Sequence, residues 1–197
     1  MLEKKKILRK IIKVRVSAIS ADEKAKREKL LHNNLFSMPE FLAANTVMLF
    51  ANLPDEIGTF SLIDKCITMG KKVFLPVING DDMSVAEFTG EFKEGRFGIK
   101  EPSLLTPNSS LLFPNGHQIV PNGHQHVLTP NSMDFALVPG VGFSPSGYRL
   151  GRGKGYYDKF LSKYTNLFTV GVCFREQFYL DIPTEPHDIP MRKVIVC

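Results

Sequence analysis

Between residues 147 and 158 the chain reads Gly-Tyr-Arg-Leu-Gly-Arg-Gly-Lys-Gly-Tyr-Tyr-Asp. Gly151, Gly153 and Gly155 let the backbone come close to a ligand and turn successive amide hydrogens toward it. Arg149, Arg152 and Lys154 add three positive charges to the same stretch, with Leu150, Tyr156 and Tyr157 interleaved. A helix is expected to begin as the glycines end, offering further free amides to an anion. Together these features describe a phosphate cradle. It is not the Walker-type loop, because Gly155 follows Lys154 where Ser or Thr is needed, and the glycine spacing does not match the dinucleotide fingerprint. The competing reading is a flexible basic loop or an Arg-Gly segment contacting RNA. The adjacent aromatics, Asp158 and a buried strand before the run favour the cradle.

Other groups could join that chemistry. Lys5 and Arg9 lie one helical turn apart and can reach the same anion; taken alone they are surface charges. Asp158 carries the oxygen donors that magnesium prefers, or else stabilises the start of the helix. His124 and His126 could point to one side of a strand, with His117 nearby, as zinc ligands would. No Cys or carboxylate accompanies them, and a short duplication explains their spacing without a metal.

The composition permits a scaffold for these groups. With 197 residues, 43% of them hydrophobic and 23% charged, the chain can bury one sizeable core. A collagen-like or wholly disordered chain is excluded, and no apolar run approaches the roughly 18 residues of a membrane-spanning helix. Three scattered cysteines, Cys66, Cys173 and Cys197, argue against a disulfide framework and suit a reducing compartment. The net charge of +5 is unevenly placed: residues 1–16 carry +6, so the other 181 sum to −1. Such a segment suits nucleic acid, an anionic membrane, a phosphorylated ligand or simply a solvated helix face. It also resembles an organelle-targeting segment.

Periodicity predicts helices over 2–17 and from a Ser20 cap through about Phe36, with Pro39 breaking the pattern. Buried strands are predicted at 46–51 and 72–78, a helix at 59–69 stopping at Gly70, and a shorter strand at 84–88. Further strands are predicted at 135–138, 168–174 and 193–196, a turn at 139–143 and a helix at 155–163. The order strand, helix, strand implies a largely parallel sheet. The expected fold class is α/β: a single three-layer α/β/α domain over 1–197 with a Rossmann-like sheet and an N-terminal helical segment. Residues 103–132 repeat Pro-Asn-Gly-His-Gln and Thr-Pro-Asn-Ser, turn chemistry that marks a surface insertion. Ligands of open parallel sheets gather beyond the strand C-termini, which directs attention to loops 51–58, 88–102 and 139–156.

At this point the chain resembles the 5-formyltetrahydrofolate cyclo-ligase family. The resemblance is carried by Val138-Pro139-Gly140-Val141-Gly142-Phe143 and by the run from Arg149 to Asp158. It extends to Gly95-Arg96-Phe97-Gly98-Ile99-Lys100-Glu101-Pro102, Pro54-Asp55-Glu56-Ile57 with Thr59, Lys5-Lys6-Ile7-Leu8-Arg9, and His187-Asp188. It spans nearly the whole chain outside 103–132.

The resemblance implies ATP- and Mg2+-dependent conversion of 5-formyltetrahydrofolate to 5,10-methenyltetrahydrofolate, ADP and phosphate. It implies ATP contacts at Lys5, Lys6, Ile7, Leu8, Arg9, Arg149, Leu150, Gly151, Arg152, Gly153, Lys154, Gly155, Tyr156 and Tyr157. Folate contacts follow at Ala51, Glu56, Arg152, Gly153, Lys154, Gly155 and Tyr156, with Arg152 and Lys154 catalytic. Asp158 and Asp188 are the magnesium candidates; family members often carry another Asp shortly after the second, where this chain has Arg192. The partners expected are ATP and 5-formyltetrahydrofolate, with neither nucleic acid nor membrane, for a cytoplasmic monomer. The alternatives are a basic nucleic-acid-binding module and an inactive relative that only binds folate or nucleotide.

Overall fold

The computed structural model describes residues 1–95, 100–103, 111–112, 117–119, 125–127 and 133–197. The repeats at 106–109, 114–118, 121–125 and 129–132, His124, and Arg96 to Ile99 lie wholly or partly outside the described residues.

The chain opens with two helices, α1 (Leu2–Ser17) and α2 (Ala21–Phe36), the second capped by the Ser20 hydroxyl accepting from the Glu23 amide. Pro39 ends this pattern and also starts a one-turn helix, α3 (Pro39–Ala43), where its missing N–H costs nothing. Strand β1 (Thr46–Met48) leads through a loop to α4 (Phe60–Thr68) and β2 (Lys72–Asn79). Strand β3 (Asp82–Glu87) returns antiparallel to β2. A small hairpin follows, β4 (Phe92–Glu94) with β5 (Lys100–Pro102). Then come β6 (Leu111–Leu112), β7 (His117–Ile119) and β8 (Gln125–Val127), all paired antiparallel. Strand β9 (Phe135–Pro139) precedes a second small hairpin, β10 (Gly142–Phe143) with β11 (Arg149–Leu150). Helix α5 (Tyr156–Leu161), β12 (Phe168–Cys173) and β13 (Lys193–Val196) complete the fold.

Among the described residues the main sheet runs β13-β12-β9-β1-β2-β3-β6-β7-β8. The five strands from β13 to β2 are parallel; β3 and those beyond it are antiparallel. The sheet is therefore mixed, with its parallel half carrying the core. Alternate residues feed opposite faces, as strand pleating requires. Val47, Val73, Leu75, Phe135, Leu137, Val170 and Val172 join one core with α1 to α4 through Ile12, Val16, Leu31, Leu35, Phe41 and Leu62. Met48, Phe74, Ala136, Val138 and Cys173 join another with Phe160 and Leu161 of α5. Helices thus cover both faces, the three layers expected from sequence.

Strand order reverses at β1. Its sequence neighbour β2 lies on one side and β9 on the other, so a crevice opens beyond the C-terminal ends of β1 and β9. Asp134 fixes the opposite end of this pair: one carboxylate oxygen accepts from the amides of Asn45 and Thr46 and the Thr46 hydroxyl, at 2.8–2.9 Å.

Candidate active site

The crevice holds a cavity of about 480 Å³. Phe50 and Ala51 come to it from the end of β1, Pro76 and Ile78 from β2, Pro139 and Gly140 from β9, and Gly151, Arg152, Lys154, Gly155, Tyr156 and Tyr157 from the glycine run. Its wall is mainly apolar, so the few charged groups that line it can orient a ligand.

Glu56 is the carboxylate placed there by the β1–α4 loop. The loop is stapled at its two ends: the Thr59 hydroxyl donates to the Phe50 carbonyl, and the Thr59 amide donates to Asn52 Oδ1 at 2.9 Å. Within it, Glu56 Oε2 accepts from the Leu53 amide at 2.9 Å, while the Glu56 amide donates to the Leu53 carbonyl at 3.0 Å. The short turn leaves Glu56 Oε1 facing Arg152 Nη2 at 3.0 Å, with Asp55 Oδ1 on the same nitrogen at 2.7 Å. Burial pushes the Glu56 carboxyl up, and it outweighs the opposing pull of the Leu53 amide and Arg152. Arg152 behaves otherwise: burial works against its charge, yet Asp55 and Glu56 hold its guanidinium above the ordinary value.

The cradle is shaped by backbone. Gly153 has φ +106° and Gly155, the cap of α5, has φ +69°, values that side-chain-bearing residues rarely adopt. Helix α5 is only six residues long, so an anion here would rely on loop amides and cations more than on a helix dipole. Arg9 reaches in from α1 and donates from Nε to the Gly151 carbonyl at 2.8 Å. Burial pulls its guanidinium below the ordinary value. A smaller cavity of about 150 Å³ lies between α1 and the cradle, lined by Arg9, Lys13, Asp55 and Arg152 among others. Arg152 lines both cavities.

Of the residues singled out from sequence, Ala51, Glu56, Arg149, Gly151, Arg152, Lys154, Gly155, Tyr156 and Tyr157 converge on this crevice, while Gly153 does not line it. Leu150 sits in the core behind it. Tyr156 donates its hydroxyl to the Gly80 carbonyl at 3.2 Å, and burial with the nearby Glu56 pushes the Tyr157 hydroxyl up. Lys5 is turned inward, but Lys6 and Ile7 are exposed, Lys6 facing Glu3 at 4.0 Å, and Leu8 packs against the core. Those three side chains do not line either cavity.

The two metal candidates sit in different surroundings. Asp158 is held by protein groups away from the helix start: Oδ2 accepts from Arg149 Nη2 at 2.8 Å and Oδ1 from the Ile189 amide at 3.3 Å. Arg149 in turn lies over the Tyr157 ring at 5.2 Å, with its Nε buried and, among the described residues, without a partner. Asp188 Oδ2 accepts from Lys5 Nζ at 2.8 Å and from the Glu185 amide at 2.8 Å, and Glu185 Oε2 takes the same ammonium at 2.9 Å. Burial opposes the charge on Asp188, yet Lys5 holds its carboxyl below the usual range, as it does that of Glu185. Among the described residues Asp188 Oδ1 faces His187 Nε2, 3.8 Å away. No group of three or more metal-ligating side chains occurs among the described residues. The donor set nevertheless fits magnesium, which takes one or two carboxylates and completes its shell with phosphate oxygens and water.

Glu185 was not singled out from sequence, and Asp55 was named only within the Pro54-Asp55-Glu56-Ile57 motif and given no role. Each lies within three residues of one that was, and adjacency to Asp188 and Glu56 was the available signal.

The model of the 5-formyltetrahydrofolate cyclo-ligase family matches residues 1–197. A 5-formyltetrahydrofolate cyclo-ligase of Mus musculus is 28% identical over 198 residues, covering 97% of this chain and 92% of that protein. Another from Saccharomyces cerevisiae is 30% identical over 221 residues, covering 98% and 94%. The NMR structure of Aquifex aeolicus 5,10-methenyltetrahydrofolate synthetase superposes with a TM-score of 0.77 at 29% identity, covering 98% of this chain and 89% of that one.

Proposed function

From the premise that the chain belongs to the 5-formyltetrahydrofolate cyclo-ligase family, we propose that it converts 5-formyltetrahydrofolate to 5,10-methenyltetrahydrofolate with ATP and Mg2+, releasing ADP and phosphate. The observation that carries this reading is Arg152, which lines both a folate-sized apolar cavity and the cation-lined cavity against α1. A reaction joining a phosphoryl group to an acyl oxygen needs such a junction.

An N-formyl group is an amide, with a weakly electrophilic carbon and a poor leaving oxygen. Attack of the formyl oxygen on the γ-phosphorus expels ADP and gives an iminium phosphate. Folate N10 then attacks the activated carbon and loses its proton, and departure of phosphate leaves the methenyl bridge. Phosphoryl transfer asks for positioning and charge neutralisation rather than a protein nucleophile. Arg9, Arg152, Lys154 and the loop amides supply both, and Arg152 exchanges its carboxylate partners for phosphate oxygens as ATP arrives. Lys5 supports the phosphates from α1. Asp188, with Glu185 beside it, would hold Mg2+, which when bound neutralises phosphate charge; Asp158 keeps Arg149 in place. The apolar wall with Tyr156 and Tyr157 excludes water from the activated carbon. The described helices include none long and apolar enough to cross a membrane, and a cytoplasmic monomer free of nucleic acid completes the proposal.

Purified protein supplied with ATP and Mg2+ is expected to release ADP only when 5-formyltetrahydrofolate is added, with methenyl absorbance rising in step. Folded protein that does neither contradicts the reading.

A further inference from the structure

The folate cavity contains a second carboxylate. Glu101 comes from β5, whose hairpin places it opposite Lys93 and beside β2. Its residue is 6% exposed, and it lines the cavity together with Glu56. The two acids are engaged very differently. Both oxygens of Glu56 already hold partners, the Leu53 amide and Arg152. Glu101 Oε1 accepts one long bond from the Ile78 amide at 3.4 Å, and among the described residues Oε2 has no partner. The second oxygen is thus open to the cavity, where the donors of a ligand can reach it.

Gly95 of the same hairpin lies close against Glu101: a Cβ built there would stand 2.4 Å from the Glu101 carboxyl carbon, the far end of a flexible side chain.

We infer that Glu101, rather than Glu56 alone, is the residue that recognises the pyrimidine edge of the folate ring. That edge presents N3–H and the 2-amino group side by side, two donors that match the two oxygens of one carboxylate. The Leu53 amide holds one oxygen of Glu56 even when Arg152 has turned to phosphate, so Glu56 does not have both oxygens to offer that edge. Glu101 fixes which way the ring lies, and with it the distance of the formyl oxygen from the cradle. The inference rests on the reading of the cavity as the folate site.

The test is steady-state kinetics of Glu101→Gln, which keeps size but offers an amide donor to a donor. The KM for 5-formyltetrahydrofolate is expected to rise about 10- to 100-fold, with the KM for ATP and the melting temperature unchanged. An analogue with methyl in place of the 2-amino group should lose similar affinity on the wild-type protein and little more on Glu101→Gln. Glu101→Asp, which keeps the charge and withdraws it by one methylene, is the second variant should Gln fail to fold, with the same KM split expected. An unchanged folate KM in either folded variant, or an analogue that the wild-type protein accepts equally well, overturns the inference while turnover of 5-formyltetrahydrofolate still upholds the reading of the site. Absence of wild-type turnover defeats both.

Discussion

Arg152 holds two carboxylates with one nitrogen while about half exposed, so its ion pairs contribute little to folding. On the proposed mechanism its role is the exchange of those partners for phosphate. Arg152→Ala is expected to lower kcat/KM by about 100-fold or more, the scale of losing one transition-state donor. The melting temperature should fall only modestly, because the exposed pair with Asp55 contributes little while Glu56 stays buried without its cation. Kinetics beside a thermal melt checks this, and full turnover in the variant removes Arg152 from the mechanism. The same substitution leaves Glu56 buried without its cation, so the Glu56 carboxyl should titrate at still higher pH than in the parent protein.

At the scale of elements, the β1–α4 loop decides where Glu56 sits. Thr59 is fully buried and its hydroxyl holds the Phe50 carbonyl, so Thr59→Val keeps the shape and removes that bond. A loss of about 1–2 kcal/mol is expected, read as a lower melting temperature, together with a raised KM for 5-formyltetrahydrofolate. A normal KM at lowered stability would show that the staple does not position Glu56. The long helices and the last strand were legible in sequence because sixteen-residue periodicity and a Ser cap leave few alternatives. The strand read at 46–51 stops at Met48: the Leu49 amide makes one more bond, to the Phe74 carbonyl, and Phe50 and Ala51 then turn away to form the cavity lip. The hairpins β4–β5 and β10–β11 were not foreseen, since pairs of two or three residues have no period to detect. The cradle could be read because its three glycines alternate with cations within five residues. The pairing of Lys5 with Glu185 and Asp188 could not, because 180 or more residues separate the partners and no spacing rule connects them.

Across the whole molecule, the chain's beginning and end are tied together. Lys5 and Asp188 have side chains 8% and 9% exposed, and Arg27 holds Glu176 and the Cys197 carbonyl. Asp188, Glu185, Glu176 and Asp134 all ionise below their usual range in the folded state. Their stabilisation is complete above the unfolded carboxylate range, about pH 4, and is lost as pH falls through the folded values. Glu56 has the opposite sign: its raised carboxyl costs stability as pH rises past its unfolded value. Melting temperature should therefore fall steeply below about pH 4. Lys5→Met should flatten that fall by releasing Asp188 and Glu185, and a profile identical to the parent's would show that the tie contributes nothing. The same tie brings the most basic helix of a chain whose other 181 residues sum to −1 against the cradle, concentrating positive charge where a triphosphate would lie.

The central claim is that one junction brings a nucleotide and a folate together. The most direct measurement is a crystal structure with a non-hydrolysable ATP analogue and 5-formyltetrahydrofolate bound together. The terminal phosphate is expected against the Gly151–Gly155 backbone with Arg152 turned onto it, and the formyl oxygen of the folate in the larger cavity facing that phosphate. A triphosphate bound elsewhere, with Arg152 still on Asp55 and Glu56, would contradict it.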